Sequence, residues 1–323
     1  MKTPVALIIF NRADTTEKVL EAIRQAKPSK LFVIADGPRA NKPGEAEKCA
    51  TTRAVIERVD WDCEVLKNYS DVNLGCAKRV SSGLDWVFNT VEEAIILEDD
   101  CLPHPTFFRY CEELLDRYRE DERIMAICGK NVQFGHKRTE YSYYFSRYNH
   151  CWGWASWRRA WQHYDIEMKL WPEMRQQGFL KDLLIDPRAV EFWTKHFQAT
   201  YKGGINTWDY QWTLTCWLQN GLSILPNVNL ISNIGFSAEA THTKTTSDQN
   251  PYANMATKAL EFPLKHPPFI IADRQADDFS QNTLFNPTFS VRVQAKINRI
   301  LNKFRLSKDW FFSKFFKVAR RTI

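Results

Sequence analysis

Three carboxylates in a row, Glu98-Asp99-Asp100, follow directly on the apolar run Ala94-Ile95-Ile96-Leu97 and precede Cys101-Leu102-Pro103-His104-Pro105. A short apolar run of this kind reads as a central strand of a parallel sheet, which puts the acids at its carboxyl end. Open α/β sheets bind ligands in the crevice outside those ends. Clustered carboxylate oxygens suit hard divalent ions, Mg²⁺ or Mn²⁺, which join a protein to the phosphates of a nucleotide. The competing reading is a solvated acidic turn, the usual fate of a charge cluster. Lys78-Arg79, just after Asn73-Leu74-Gly75, opens a helix whose first amides and two cations could face a diphosphate.

The elements that must position these groups are legible as apolar runs at 5–10, 31–35, 63–66 and 94–97, separated by stretches of helical period. One helix is expected over 15–26, with capping-box character in Asp14-Thr15-Thr16-Glu17. Alternating strands and helices predict an α/β fold, a doubly wound and mostly parallel sheet with right-handed crossovers. The first run ends in Asn11-Arg12 and the second in Asp36-Gly37-Pro38-Arg39, so polar groups recur at strand ends, although Asp36-Gly-Pro is equally a turn. No G-x-G-x-x-G follows the first strand and no G-x-x-x-x-G-K-[ST] occurs, which takes the main support from the dinucleotide and P-loop readings. Further helices are expected over 73–88, 106–120, 189–201 and 210–219, and a strand near 223–226. From 124 the pattern turns irregular and aromatic, and 151–157 reads as a binding wall. The polar stretch 237–255 reads as a loop.

At 323 residues the chain can form one large domain or two smaller ones. Its eight cysteines show no C-x-x-C pair and no recurring spacing, which argues against zinc or a disulfide framework and for free thiols in a reducing cytoplasm. The apolar run near Met1 is too short for a signal peptide, and no run of about 18 apolar residues predicts a transmembrane helix. Residues 290–323 hold ten Lys/Arg and one acid, Asp309, so the rest of the chain carries −3 of the formal net charge of +6. In that tail Val293, Ile297, Ile300, Leu301, Phe304 and the aromatics from Trp310 to Phe316 recur at helical spacing. A basic amphipathic helix with Trp and Phe binds anionic membrane surfaces, or packs its apolar side on the domain. Nucleic acid is the poorer partner, because the body is acidic and lacks a recognition module. The expected layout is a catalytic domain over 1–289, with a nucleotide half at 1–130 and an acceptor half at 131–289, followed by the tail at 290–323. The expected place is the cytoplasm, peripheral on the inner face of the membrane.

The segment Ile95-Ile96-Leu97-Glu98-Asp99-Asp100-Cys101-Leu102-Pro103-His104-Pro105-Thr106-Phe107-Phe108 resembles the acidic motif of GT-A nucleotide-sugar glycosyltransferases, most closely the inverting N-acetylglucosaminyltransferase I group. The likeness spans roughly residues 4–245, specific at the acidic motif and elsewhere resting on order and local chemistry. It implies a Rossmann-like GT-A fold, a nucleotide-sugar donor with a UDP-sugar first in line, Mn²⁺ or Mg²⁺, and a glycan or lipid-linked glycan acceptor. It implies that Asp100 binds the metal, that Asp99 contacts ribose or sugar and that Glu98 holds the network around them. Arg12 would meet the diphosphate, Asp36 the base, and Lys78 or Arg79 another part of the nucleotide. Cys151-Trp152-Gly153-Trp154 resembles the acceptor-side segment, with Trp152 and Trp154 lining it and Gly153 admitting substrate closely. Asp209, in Trp208-Asp209-Tyr210-Gln211-Trp212, takes the place of the catalytic base; on local sequence it is as readily the cap of the following helix. His242 would complete the metal sphere or touch the diphosphate, against the plain reading of an exposed loop histidine. Two rivals stand: a sugar-nucleotide nucleotidyltransferase, for which Asn11-Arg12-Ala13-Asp14 lacks the glycine-rich loop, and a non-catalytic membrane-surface adaptor that keeps the fold.

Overall fold

A computed structural model of the chain describes residues 1–236 and 252–287. His242 and the tail at 290–323 lie outside the described residues, as does most of the stretch 237–255. In chain order the first half contains β1 (Val5–Ile9), α1 (Ala13–Ala26), β2 (Lys30–Ala35), α2 (Glu45–Val55), β3 (Glu64–Tyr69), α3 (Gly75–Thr90), β4 (Glu93–Glu98), β5 (Cys101–Pro103) and α4 (Thr106–Arg117). The second half contains β6 (Ile124–Cys128), β7 (Tyr143–Ser146), β8 (Trp154–Trp157), α5 (Arg158–Trp161), α6 (Trp171–Gln177), α7 (Leu180–Leu183) and α8 (Pro187–Tyr201), then α9 (Asp209–Leu218), β9 (Leu222–Pro226), β10 (Ile231–Asn233) and α10 (Arg274–Ser280). The chain divides into two units, Met1–Asp277 and Asp278–Ile323. The cleft described below belongs to the first; in the second, a π-helical turn spans Gln281–Phe285.

Eight strands form one sheet in the order β3-β2-β1-β4-β8-β6-β9-β7. The pairs β1/β2, β2/β3, β1/β4 and β6/β9 are parallel, whereas β8 runs antiparallel to both β4 and β6, and β7 antiparallel to β9. The mostly parallel α/β sheet flanked by helices is as expected; its second half is mixed, because β8 returns between β4 and β6.

The strands β1, β2 and β4 are apolar throughout because both faces of the sheet are covered. Val5, Leu7 and Ile9 face α1 and α4 in one core with Leu31, Val33, Ile95 and Leu97. Ala6 and Ile8 face the other way into a second core with Phe32, Ile34, Ile96 and the α3 residues Leu84 and Val87. Truncating one of the buried leucines or isoleucines among them to alanine leaves a cavity that costs about 2–5 kcal/mol.

Two acceptor-side expectations change here. Trp154 does not line a binding wall: it is 1% exposed, pairs with Ile96 in β8 and packs against Trp208, Trp161 and Trp212. Gly153 serves backbone packing and is not a point of substrate approach. It has φ +61°, and a Cβ there would lie 2.3 Å from the Ile231 Cδ1 and 3.3 Å from the Leu97 Cδ2. The expected helix over 106–120 stops at Arg117, and the capping residues expected at the start of α1 make no side-chain cap; instead the Thr16 hydroxyl donates back to the Arg12 carbonyl at 2.7 Å.

Candidate functional site

Register places the strand-end groups side by side. Ile9 pairs with Ala35 and Ile8 with Glu98, so Phe10, Asp36 and Asp100 come level at the carboxyl edge of the sheet, with Asp99 one residue behind. Because β8 is antiparallel to β4, Trp152, two residues before its start, arrives at that same edge. The result is a cleft of about 530 Å³, within the range that holds small-molecule ligands. Its wall includes Arg12, Asp36, Arg79, the three carboxylates at 98–100, Trp152 and, from the start of α9, Asp209.

The acidic triplet is not a solvated turn. The Arg12 guanidinium donates to the Asp99 Oδ1 and, at 3.0 Å, to the Asp100 Oδ2. The Phe10 N–H donates to the Asp99 Oδ2 at 3.2 Å, so both oxygens of Asp99 are committed within the protein. Asn233 on β10 donates to the Asp100 Oδ1 at 3.2 Å, and the Cys101 thiol donates to the same oxygen at 3.4 Å. Burial pushes Asp99 up to about 6 although the Arg12 charge pulls it back. Burial would lower the Arg12 guanidinium, and the two aspartates more than reverse that, so it stays firmly charged. Glu98 stands outside this network and lines the cleft; burial, then repulsion from Asp100, Asp99 and Asp209, pushes it up to about 8.

The cleft wall carries five carboxylates, at 36, 98, 99, 100 and 209, against three arginines, at 12, 39 and 79, a balance that a cation would offset. Among the described residues no three His, Cys, Asp or Glu side chains converge as a ready metal cage. A Mg²⁺ or Mn²⁺ that drew on Asp100 would share oxygens already bonded to Arg12, Asn233 and Cys101, with phosphate and water oxygens completing the shell.

Asp36 is spent on the protein itself. Its Oδ1 accepts from the Gly37 N–H at 2.9 Å and the Leu74 N–H at 2.8 Å; its Oδ2 accepts from the Gly75 N–H and the Asn73 side-chain amide, both at 3.0 Å. Its four bonds hold the start of α3 against the end of β2. The Leu74 and Gly75 amides at the start of α3 are thus taken and are not open to an anion. Of the Lys78-Arg79 pair, Lys78 is exposed and outside the wall, whereas Arg79 is buried and in it. Arg79 donates to the Asn68 side chain at 2.9 Å, keeps a buried Nε–H with no hydrogen-bond partner among the described residues, and is lowered by burial.

Asp209 is the first residue of α9, with Trp208 in the cap position. Its Oδ1 accepts from the Thr207 hydroxyl and from the Tyr210 N–H at 3.0 Å, and its Oδ2 lies 3.9 Å from the Cys151 thiol. Trp152 packs edge-on against Phe236, ring centroids 5.6 Å apart, and carries the Lys130 ammonium 3.4 Å from the centre of its ring. Asn73, Asn206, Asn233 and Phe236 join the site without having been singled out in the sequence. They are brought in by pairings more than a hundred residues long, or by side chains with no local signature.

Among known proteins, no family model matches the chain and no curated protein matches it. Solved structures do match at the level of shape. They include TarS residues 1–349 of S. aureus (11% identity, 51% of this chain and 50% of that one, TM-score 0.36). They also include the galactosyltransferase LgtC in complex with donor and acceptor sugar analogues (11%, 69% and 73%, TM-score 0.36) and mouse xyloside xylosyltransferase 1 (11%, 66% and 81%, TM-score 0.33). The chain spans half the length of the TarS fragment. Two of these are sugar transferases by title, and a UDP-glucose pyrophosphorylase complexed with UDP-glucose matches as well (13%, 45% and 62%, TM-score 0.27); the narrower likeness to N-acetylglucosaminyltransferase I finds no support in them.

Proposed function

We propose that the protein is a metal-dependent, inverting glycosyltransferase that moves a sugar from a nucleoside diphosphate donor, a UDP-sugar first among candidates, to a glycan or lipid-linked glycan acceptor. The observation that carries the reading is the set of charges that line one cleft: Arg12, Arg79 and the acids at 98–100 from the strand ends, and the Asp209 carboxylate from the start of α9. Arg12 is anchored by Asp99, and together with Arg79 it offers the cations that a diphosphate requires. Asp209, its Oδ1 fixed by Thr207 and Tyr210, has Oδ2 to accept the proton of an acceptor hydroxyl as that oxygen attacks the anomeric carbon. Attack on the face opposite the departing diphosphate inverts the anomeric centre. Trp152 supplies an aromatic edge to the acceptor wall. A divalent ion held by Asp100 would add positive charge to the leaving diphosphate. The basic, amphipathic pattern of 290–323 supports the peripheral-membrane part of the reading, a role in surface polysaccharide synthesis on the cytoplasmic face.

The test is a thermal-shift screen of UDP-, GDP-, CMP- and dTDP-sugars with and without Mn²⁺, followed by nucleotide release with the donor that stabilises most. Metal-dependent stabilisation by one nucleotide sugar, lost in Asp100→Ala, is expected. Formation of pyrophosphate from a nucleoside triphosphate and a sugar 1-phosphate would replace the reading with nucleotidyl transfer. No stabilisation by any nucleotide sugar would remove it.

A further inference from the structure

We infer that Asn206 is a positioning residue, which sets the Asp209 carboxylate by latching its loop to the donor-side helix α3. The inference rests on Asp209 being the base, as proposed above. Asn206 Oδ1 accepts from the Ala77 N–H at 2.9 Å, across 129 residues of sequence. Ala77 is the third residue of α3, so the asparagine supplies from a distant loop the acceptor that an N-cap side chain would normally supply from the helix's own flank. The same amide fills the space beside Gly75, whose φ is +77°: a Cβ there would lie 2.6 Å from the Asn206 Nδ2. No side chain other than hydrogen fits under the latch at that point, and the left-handed backbone favours glycine independently.

The residues after Asn206 are tied one by one. Thr207 donates to the Asp209 Oδ1, the Tyr164 hydroxyl donates to the Trp208 carbonyl at 3.2 Å, and the Thr213 hydroxyl donates to the Asp209 carbonyl at 3.0 Å. These ties orient Asp209 within its own half of the cleft. Among the described residues, the Asn206 bond is the hydrogen bond that joins the 206–209 loop to α3. The far side of that helix start is held by Asp36 through Leu74 and Gly75. Asp36 and Asn206 thus grip one helix start from two sides, and through it the end of β2 fixes how far Asp209 stands from the strand-end acids. A carboxylate displaced by about 1 Å can lose on the order of a hundredfold in rate.

The experiment compares Asn206→Ala with Asn206→Asp, which keeps an oxygen for the Ala77 N–H. Asn206 is exposed, so neither change touches the core. Two readouts are taken on the full chain: nucleotide release with the donor chosen by the thermal-shift screen, and hydrogen–deuterium exchange of peptides covering 205–210 without ligand. Asn206→Ala should lower kcat by roughly 10- to 100-fold with the donor KM within about threefold of wild type, and should speed exchange over 205–210. Asn206→Asp should restore both. Wild-type kcat and wild-type exchange in Asn206→Ala would overturn the inference. So would an equal loss in both variants expressed in donor KM, which would make Asn206 a donor contact. If no nucleotide sugar is turned over by the wild type, the functional reading fails on its own; unchanged exchange in Asn206→Ala would then refute the latch separately.

Discussion

Replacing Arg12 with methionine is the perturbation that loads the strand-end network most directly. The side chain is 22% exposed and Asp99 beneath it is 4% exposed, so the pair is largely buried. Breaking a buried pair by removing one partner typically costs about 3–5 kcal/mol, because the remaining charge is left uncompensated. The partial exposure of Arg12, and the Phe10 N–H that remains on Asp99, place the expected loss near the lower end, about 3 kcal/mol. Asp99→Asn alone should also destabilise the protein, since it leaves Arg12 with Asp100 as its remaining carboxylate. The double variant should be less destabilised than the sum of the two by about 1–3 kcal/mol, the coupling expected of residues in direct contact. Urea denaturation followed by far-UV circular dichroism, with all four proteins showing the same m-value, measures this. Additive losses would refute the argument that Arg12 and Asp99 form one unit. A loss below about 0.5 kcal/mol for Arg12→Met would show that the guanidinium is solvated and that the strand-end acids are not held by it.

Gly153→Ala should destabilise by about 2–4 kcal/mol, from the left-handed backbone and the collision with Ile231, and denaturant midpoints read it directly. Asp277, buried and hydrogen-bonded by the Ser146 hydroxyl and the Arg147 N–H, is pushed up to about 6 by burial. A carboxyl group whose value rises on folding adds stability below its unfolded value near 4 and loses it as pH rises through about 6. In Asp277→Asn the fall in Tm between pH 4.5 and 7.5 should therefore be smaller than in wild type, and an unchanged profile would contradict the burial argument. Lys78→Ala should leave nucleotide binding within about twofold, whereas Arg79→Ala should weaken it on the order of tenfold, since a charge-assisted hydrogen bond contributes about 1.5–3 kcal/mol; isothermal titration with the nucleoside diphosphate alone separates the two.

Much of the donor half was legible in the sequence because its signals are local. The apolar runs ending at Phe10, Ala35 and Leu97 are strands buried on both faces, and strand-end position alone suffices to place Arg12, Asp36 and the acidic triplet in one crevice. What Asp36 does there was not legible, because its partners Leu74 and Gly75 lie almost forty residues on and are fixed by the α3 start. The acceptor half was read less well for a related reason. In a regular strand Trp152 and Trp154 would share a face, but Gly153 at φ +61° breaks the alternation. Trp152 consequently reaches the cleft and Trp154 goes into the core, a division set by β8 inserting between β4 and β6. Asn206 had no sequence signal at all, since its acceptor role exists only once α3 and the loop before α9 meet.

Asp209 is proposed to take the acceptor proton in this cleft, and transfer by Asp209→Asn under donor-saturating conditions measures that role directly. This variant should bind the nucleotide sugar as wild type does, to within about twofold, while product formation falls by at least about 100-fold, the contribution expected of a positioned base. Wild-type turnover in Asp209→Asn, with donor affinity unchanged, would contradict it.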